Sequence, residues 1–205
     1  MSATLLLVRH GETASNRKRV YMGRSEEPLS RRGREQARSV AGRLSVSGYG
    51  FKKILASPVA RAHETALIIG KRCRVPVGKA GYLTEIDFGP WCGLTAVEIE
   101  ERYPGDWKLW RGSPHRLRLR GMETLSRVRR RVREGLSADL RAGPGSGIVL
   151  VTHDVVIRAI LALTLGIDDS HYRSFTVDNA SLSVVIWGKE KRRLALLNAT
   201  DHLRR

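Results

Sequence analysis

Arg9-His10-Gly11 closes one apolar run, Arg61 follows a second by way of Ser57-Pro58, and His153 comes directly after a third, at 148–151. Arginine offers a planar fork of donors suited to phosphate oxygens. Two arginines and two histidines converging on one crevice would make a strong anion site. Helices that open near Arg61 and His153 would add backbone N–H groups aimed at the same anion. The convergence needs the three runs to be strands of a mostly parallel sheet, whose carboxyl ends share the edge where α/β folds place their ligands.

The rest of the chain supplies such a framework. Residues 4–8 read as a buried strand, 54–56 as a second and 148–151 as a third. Ser30 can cap a helix whose inward stripe is Ala37, Val40, Ala41 and Leu44, ending near Gly48. Pro58 stands at the first turn of a helix that runs to about Arg72, with Ala62, Ala66 and Ile69 inward. Residues 79–93 read as a strand and then a Gly/Pro-rich loop, and 95–103 as a short helix stopped by Pro104. A helix over about 123–141 carries Leu125, Val128, Val132, Leu136 and Leu140 at helical spacing, and 143–147 breaks it. A further helix runs from the third strand through Leu165. Two β-rich runs, 181–187 and 193–197, joined by Gly188-Lys189-Glu190, form a closing hairpin. Alternating strands and helices point to an α/β layer architecture.

The 205 residues fit one domain, 1–205. Two cysteines are too few for a disulfide framework. No apolar run approaches the ~18 residues of a membrane span, and Leu5-Leu6-Leu7-Val8 is too short for a signal-peptide core. The expectation is a cytoplasmic protein with no membrane contact. The net charge of +17 favours anionic partners. Arg127-Val128-Arg129-Arg130-Arg131-Val132-Arg133 is the segment best suited to nucleic acid. On a helix, however, Val128 and Val132 join the apolar stripe, which leaves the arginines as a solvated face. Nucleic acid is therefore disfavoured as a partner.

Further segments follow in order: Leu7-Val8-Arg9-His10-Gly11-Glu12-Thr13 with Asn16; Pro28-Leu29-Ser30 with Gly33 and Gln36-Ala37; Ala56-Ser57-Pro58 with Arg61 and Glu64-Thr65-Ala66. Leu83-Thr84-Glu85-Ile86-Asp87-Phe88-Gly89-Pro90-Trp91, Gly121-Met122-Glu123-Thr124, Val151-Thr152-His153 and Asn179-Ala180-Ser181 complete the set. This series resembles the signature of the histidine phosphatase superfamily, the phosphoglycerate mutase-like proteins, over essentially the whole chain. It is most similar to the α-ribazole and broad-specificity phosphatases. The resemblance implies a three-layer α/β sandwich with a mostly parallel central sheet and helices on both faces.

It also implies the chemistry. His10 would attack phosphorus through a ring nitrogen to give a phosphohistidine. Arg9, Arg61 and His153, assisted by Asn16, would hold the phosphoryl oxygens. Glu85 would protonate the leaving oxygen and then take a proton from the attacking water. No metal or cofactor is implied, and the partner is a phosphorylated small molecule; a homodimer is one possible assembly. A cofactor-dependent phosphoglycerate mutase shares the covalent step, and a nucleic-acid-binding protein on an inactive enzyme fold is the alternative of another class. The short chain leaves little room for a lid that keeps the phosphohistidine from water, which favours hydrolysis.

Two departures from the family pattern bear on substrate choice. Asp154 stands where Gly often follows the second histidine, either capping a helix or weakening phosphate binding. Trp91-Cys92-Gly93 replaces a common Trp-Glu-Gly. The segment between the acid/base loop and Gly121 carries Trp107, Trp110, Arg116, Arg118 and Arg120. The expectation is that it forms one wall of the site and favours a substrate with a ring or a second anionic group.

Overall fold

The computed structural model describes residues 2–142, 147–188 and 192–203. In chain order it contains β1 (Ser2–Arg9), α1 (Ala14–Lys18), α2 (Arg31–Ser45), β2 (Phe51–Ala56), α3 (Ala60–Cys73) and β3 (Val77–Lys79). These are followed by α4 (Ala96–Arg102), α5 (Pro104–Gly112), α6 (Leu125–Ala142), β4 (Gly147–Thr152), α7 (Asp154–Leu165), β5 (Leu182–Gly188) and β6 (Arg192–Ala199). The six strands form one sheet in the order β3-β2-β4-β1-β5-β6. Strands β3, β2, β4 and β1 are mutually parallel, and β5 runs against both β1 and β6.

The two-residue period of a strand divides β1 between two cores. Leu5 and Leu7 pack with Ile148 and Leu150 of β4 under α6 and α7. Leu6 and Val8 pack with Val149 and Val151 under α2 and α3, against Val40, Ala41, Ala62, Ala66 and Ile69. Both faces of the sheet are thus covered, which is why β1 and β4 read as continuous apolar runs rather than alternating ones. The expected stripe of α6 is inward, with Val128, Val132 and Leu136 at 1% exposure or less.

Several expectations need revision. The strand placed at 79–93 is the three-residue β3, paired with Ile54–Ala56 of β2. The remainder forms 3₁₀ turns at Gly81–Leu83 and Gly89–Trp91, which bury Leu83, Ile86 and Trp91 without a ladder. The short helix expected over 95–103 is α4, and it stops before Pro104 as expected, but Pro104 also begins a helix that the sequence did not suggest. That helix is α5, with Pro104 at its first position, where a missing N–H costs nothing. Ser30 caps α2 as expected, but that helix ends at Ser45 rather than near Gly48. The breaker at Gly143–Ser146 and the hairpin residues Lys189-Glu190 lie outside the described residues.

One contact between glycines sets the first loop of the site. A Cβ on Gly11 would lie 2.3 Å from the Gly33 carbonyl oxygen, and one on Gly33 would lie 2.0 Å from that of Glu12. The chain after β1 therefore packs backbone to backbone against the first turn of α2. Only hydrogen side chains fit there.

Candidate active site

His10 leaves the end of β1 with its N–H donating to the Thr152 carbonyl at 2.9 Å, across the β1–β4 pairing. Its Nδ1 lies 2.7 Å from the Gly11 carbonyl oxygen, a partner that can only accept, so the ring proton sits on Nδ1. Nε2 is left with its lone pair, and Arg61 Nε donates to it at 3.1 Å. The side chain is 3% exposed. Burial first, then the charges of Arg61 and Arg9, holds its pKa well below the ordinary histidine value. The imidazole is neutral at pH 7.

Arg61 comes from the first turn of α3. Its Nη1 and Nη2 donate to the Ser25 and Gly23 carbonyls at 3.0 and 2.6 Å. Arg9 Nη1 donates to Val177 at 2.6 Å, while its Nε is buried with no partner among the described residues. His153 bridges β4 and α7 and is fully buried. Its ring centroid lies 5.1 Å from that of His10, and its Nε2 lies 2.8 Å from Ser57 Oγ. Asn179 donates to the His10 carbonyl at 3.1 Å and to Asn16 Oδ1 at 3.0 Å, so Asn16 is aimed from both ends of the chain.

Glu85 follows the Gly81–Leu83 turn and is 7% exposed. Its Oε1 accepts the Ile86 N–H at 2.9 Å. Its own carbonyl is held by Arg24 and Arg131 at 3.2 and 3.3 Å. Burial, then the charge of Asp154, pushes its pKa up to about 7, against the Ile86 N–H, Arg61 and Arg9. A carboxyl in that range can give a proton near neutrality and take one back. Asp87, two residues on, is a structural group whose Oδ1 accepts the Gly89 N–H at 2.9 Å.

Arg9, His10, Asn16, Arg61 and Glu85 share the wall of one cavity of about 440 Å³. His153 stands behind His10 rather than in that wall. Trp107 and Trp110, from the segment between the acid/base loop and Gly121, line the cavity, and they also pack edge to face on Trp91.

Arg116, Arg118 and Arg120 are exposed and lie outside the lining. The 3₁₀ turn at Pro114–Arg116 directs Leu117 into the core, which leaves the alternating arginines to solvent. The positive charge in that half of the cavity comes instead from Arg111 and Arg173, over the Trp107 and Trp110 rings at 5.9 and 5.8 Å. The sequence reading did not find these two, nor Tyr21, Arg158 and Tyr172. An arginine one turn after Asp154 on the same helix was the one available signal, and it pointed to Arg158.

Asp154 does not cap α7. His153 occupies the capping position, and Asp154 is the first helical residue, paired with Arg158. Cys92 is exposed and bonds to the Met22 carbonyl at 2.9 Å, outside the lining. In the basic run of α6, Arg129 pairs with Asp169 at 3.2 Å and Arg131 with Glu123 at 2.9 Å. Arg127, Arg130 and Arg133 are exposed.

The sequence profile of the histidine phosphatase superfamily (branch 1) matches residues 5–200. Phosphoserine phosphatase 1 of Hydrogenobacter thermophilus is 36% identical over 97% of this chain and 93% of its own. The solved structure of Bacillus stearothermophilus YhfR superposes with a TM-score of 0.92 at 27% identity, covering 98% of this chain and all of that one. The mycobacterial glucosyl-3-phosphoglycerate phosphatase superposes at 0.86 with 29% identity, again over 98% and 100%. Structural neighbours also include proteins described as α-ribazole phosphatases.

Proposed function

The chain belongs to the histidine phosphatase superfamily, and from that premise we propose that it hydrolyses phosphate monoesters through a phosphohistidine on His10 Nε2. The observation that carries the reading is the neutral, buried His10 ring. Its proton is fixed on Nδ1 and its Nε2 meets Arg61, in a cavity shared with a carboxyl that titrates near 7.

The Nε2 lone pair forms the N–P bond as the ester P–O bond breaks, and Glu85 gives its proton to the departing oxygen. Glu85 then takes a proton from water, whose oxygen attacks phosphorus. The N–P bond breaks and inorganic phosphate leaves with the ring restored. Arg9 and Arg61 supply fixed positive charge where the transferring group needs it. His153 Nε2 shares a hydrogen bond with the Ser57 hydroxyl, and its Nδ1 is buried without a partner among the described residues. Arg9 and Asn16, which line the cavity, are read as donors to the phosphoryl oxygens, while His153 backs the His10 ring. Because the charge comes from arginines, the reaction is read as metal-independent, and EDTA should leave the rate unchanged.

The aromatic half of the cavity, with Arg111 and Arg173, supports a leaving group that carries a second anionic group. Phosphoserine and glucosyl-3-phosphoglycerate, the substrates in the names of two relatives, both carry a carboxylate. Both cysteines are free, which supports a reducing, cytoplasmic setting.

The test is to trap the intermediate. Alkaline quenching after mixing with a labelled monoester should leave base-stable, acid-labile phosphate on the protein, and none on the His10→Ala variant. Release of inorganic phosphate distinguishes hydrolysis from return of the group to a phosphoglycerate. Undiminished turnover by His10→Ala would overturn the reading.

A further inference from the structure

Among the described residues, Asp154 is the second carboxylate in a wall otherwise suited to an anion. A negative charge beside a phosphate site weakens binding, so its placement calls for a function. A carboxylate in the first turn of α7 is favourable to the helix, but that does not require it to face the cavity. Its position is fixed: Arg158 Nε lies 3.0 Å from both oxygens, and the Tyr172 hydroxyl lies 3.5 Å from Oδ2. Arg158 is itself tied down by the Tyr172 carbonyl at 2.9 Å and by the Phe175 carbonyl, with its guanidinium 4.9 Å from the Tyr172 ring centroid. The Asp154 side chain is 24% exposed.

The groups around Glu85 pull in opposite directions. Arg9 from β1 and Arg61 from α3 favour its ionised form. Arg158 of α7 also attracts the ionised Glu85 across the cavity, although it is paired to Asp154. Arg24 and Arg131 are engaged at the Glu85 backbone carbonyl and at Glu123. His10 and His153 are both held neutral by burial. A general acid among so many arginines would lose its proton too early unless something opposes them.

We propose that Asp154 is a positioning residue of the reaction: clamped by Arg158, its charge keeps the Glu85 carboxyl in its proton-donating form against Arg9 and Arg61. Burial raises the Glu85 pKa most, and Asp154 is the second cause. The proposal rests on the reading of Glu85 as the acid.

The experiment compares wild type, Asp154→Asn, Asp154→Glu and Glu85→Gln. It reads the pH dependence of kcat/KM for O-phosphoserine, an alkyl ester with a poor leaving group, and for p-nitrophenyl phosphate. Carbon-13 NMR of labelled glutamate, with the Glu85 signal assigned by its loss in Glu85→Gln, follows the same titration without turnover. In Asp154→Asn the Glu85 titration and the alkaline limb should move down by about half to one pH unit. Above that limb the alkyl ester should lose about three- to tenfold, one unit being tenfold in the protonated fraction. The aryl ester should lose less, inorganic phosphate should inhibit more strongly, and Asp154→Glu should restore the limb. Asp154→Ser serves the same purpose should Asp154→Asn fail to fold. An unmoved Glu85 titration in a folded Asp154 variant overturns the proposal and leaves the Glu85 reading standing. A limb that survives Glu85→Gln overturns that reading, and the proposal with it.

Discussion

Arg61 Nε donates to His10 Nε2 across 3.1 Å, so the nucleophile rests with its lone pair already engaged by a cation. The ring cannot take a proton there without losing that bond, and an incoming phosphoryl group must displace it. The same guanidinium is anchored at its other two nitrogens by the Ser25 and Gly23 carbonyls. Shape as well as charge therefore matters at this position.

Arg61→Lys keeps the charge and loses the fork. The expected loss in kcat/KM is about 10²–10³, the scale of one lost transition-state donor. Steady-state kinetics on the folded variant check this, and near-wild-type activity would show that charge alone suffices.

The raised Glu85 pKa also affects stability. In the folded protein Glu85 holds its proton up to about 7, whereas an unfolded carboxyl releases it near 4.5. Stability is therefore present below the unfolded value and falls as pH rises through the window between the two, by about 3 kcal/mol in order of magnitude. Glu85→Gln removes this dependence. Urea denaturation should find wild type and variant closer in stability at pH 4.5, with the variant ahead at pH 8; parallel curves would contradict the assignment.

The positively charged wall lies at Arg111 and Arg173, not at Arg116, Arg118 and Arg120. Replacing the latter three with Ser should leave KM for phosphoserine within about twofold, since they are exposed, lie outside the lining and are screened by solvent and salt. Arg111→Ser should raise that KM several-fold more than the KM for phenyl phosphate. Equal responses of both esters would remove the second anion from the account.

Gly33→Ala places a methyl carbon against the Glu12 carbonyl. The expected cost is about 1–3 kcal/mol from overpacking, with a fall in activity because the His10 loop must move. Chemical denaturation and kcat measured together test whether fold and site suffer jointly.

Much of the site was legible because strands β1, β2 and β4 announce themselves as apolar runs, and each is followed within a few residues by a side chain suited to anions: Arg9 at the end of β1, Arg61 in the first turn of α3 after β2, and His153 after β4. Parallel pairing then brings Arg9, Arg61 and His153 to one edge. What was not legible depends on rotation about short helices. Whether Arg111 or Arg116 faces the cavity is decided by where α5 stops and by the turn at Pro114–Arg116, and neither has a periodic signature. Pro104 was ambiguous for a related reason, since the same ring ends one helix or begins the next. Arg173 and Tyr172 reach the cavity from a 3₁₀ turn far along the chain, and no local pattern ties them to Trp110. Asp154 stands out in the sequence beside His153, but its pairing with Arg158 makes it a fixed wall charge rather than a cap.

β1 is synthesised well before β4 and β5, yet it lies between them in the sheet. Even the His10 carbonyl waits for the Asn179 side chain and the Ala180 N–H. At about 5–20 residues per second, Leu5 to Val8 remain unpaired for on the order of ten seconds or more during synthesis. This order of assembly gives a high contact order and slow folding. A chain truncated before β5 would leave β1 without its antiparallel partner and the His10 carbonyl without Asn179 and Ala180.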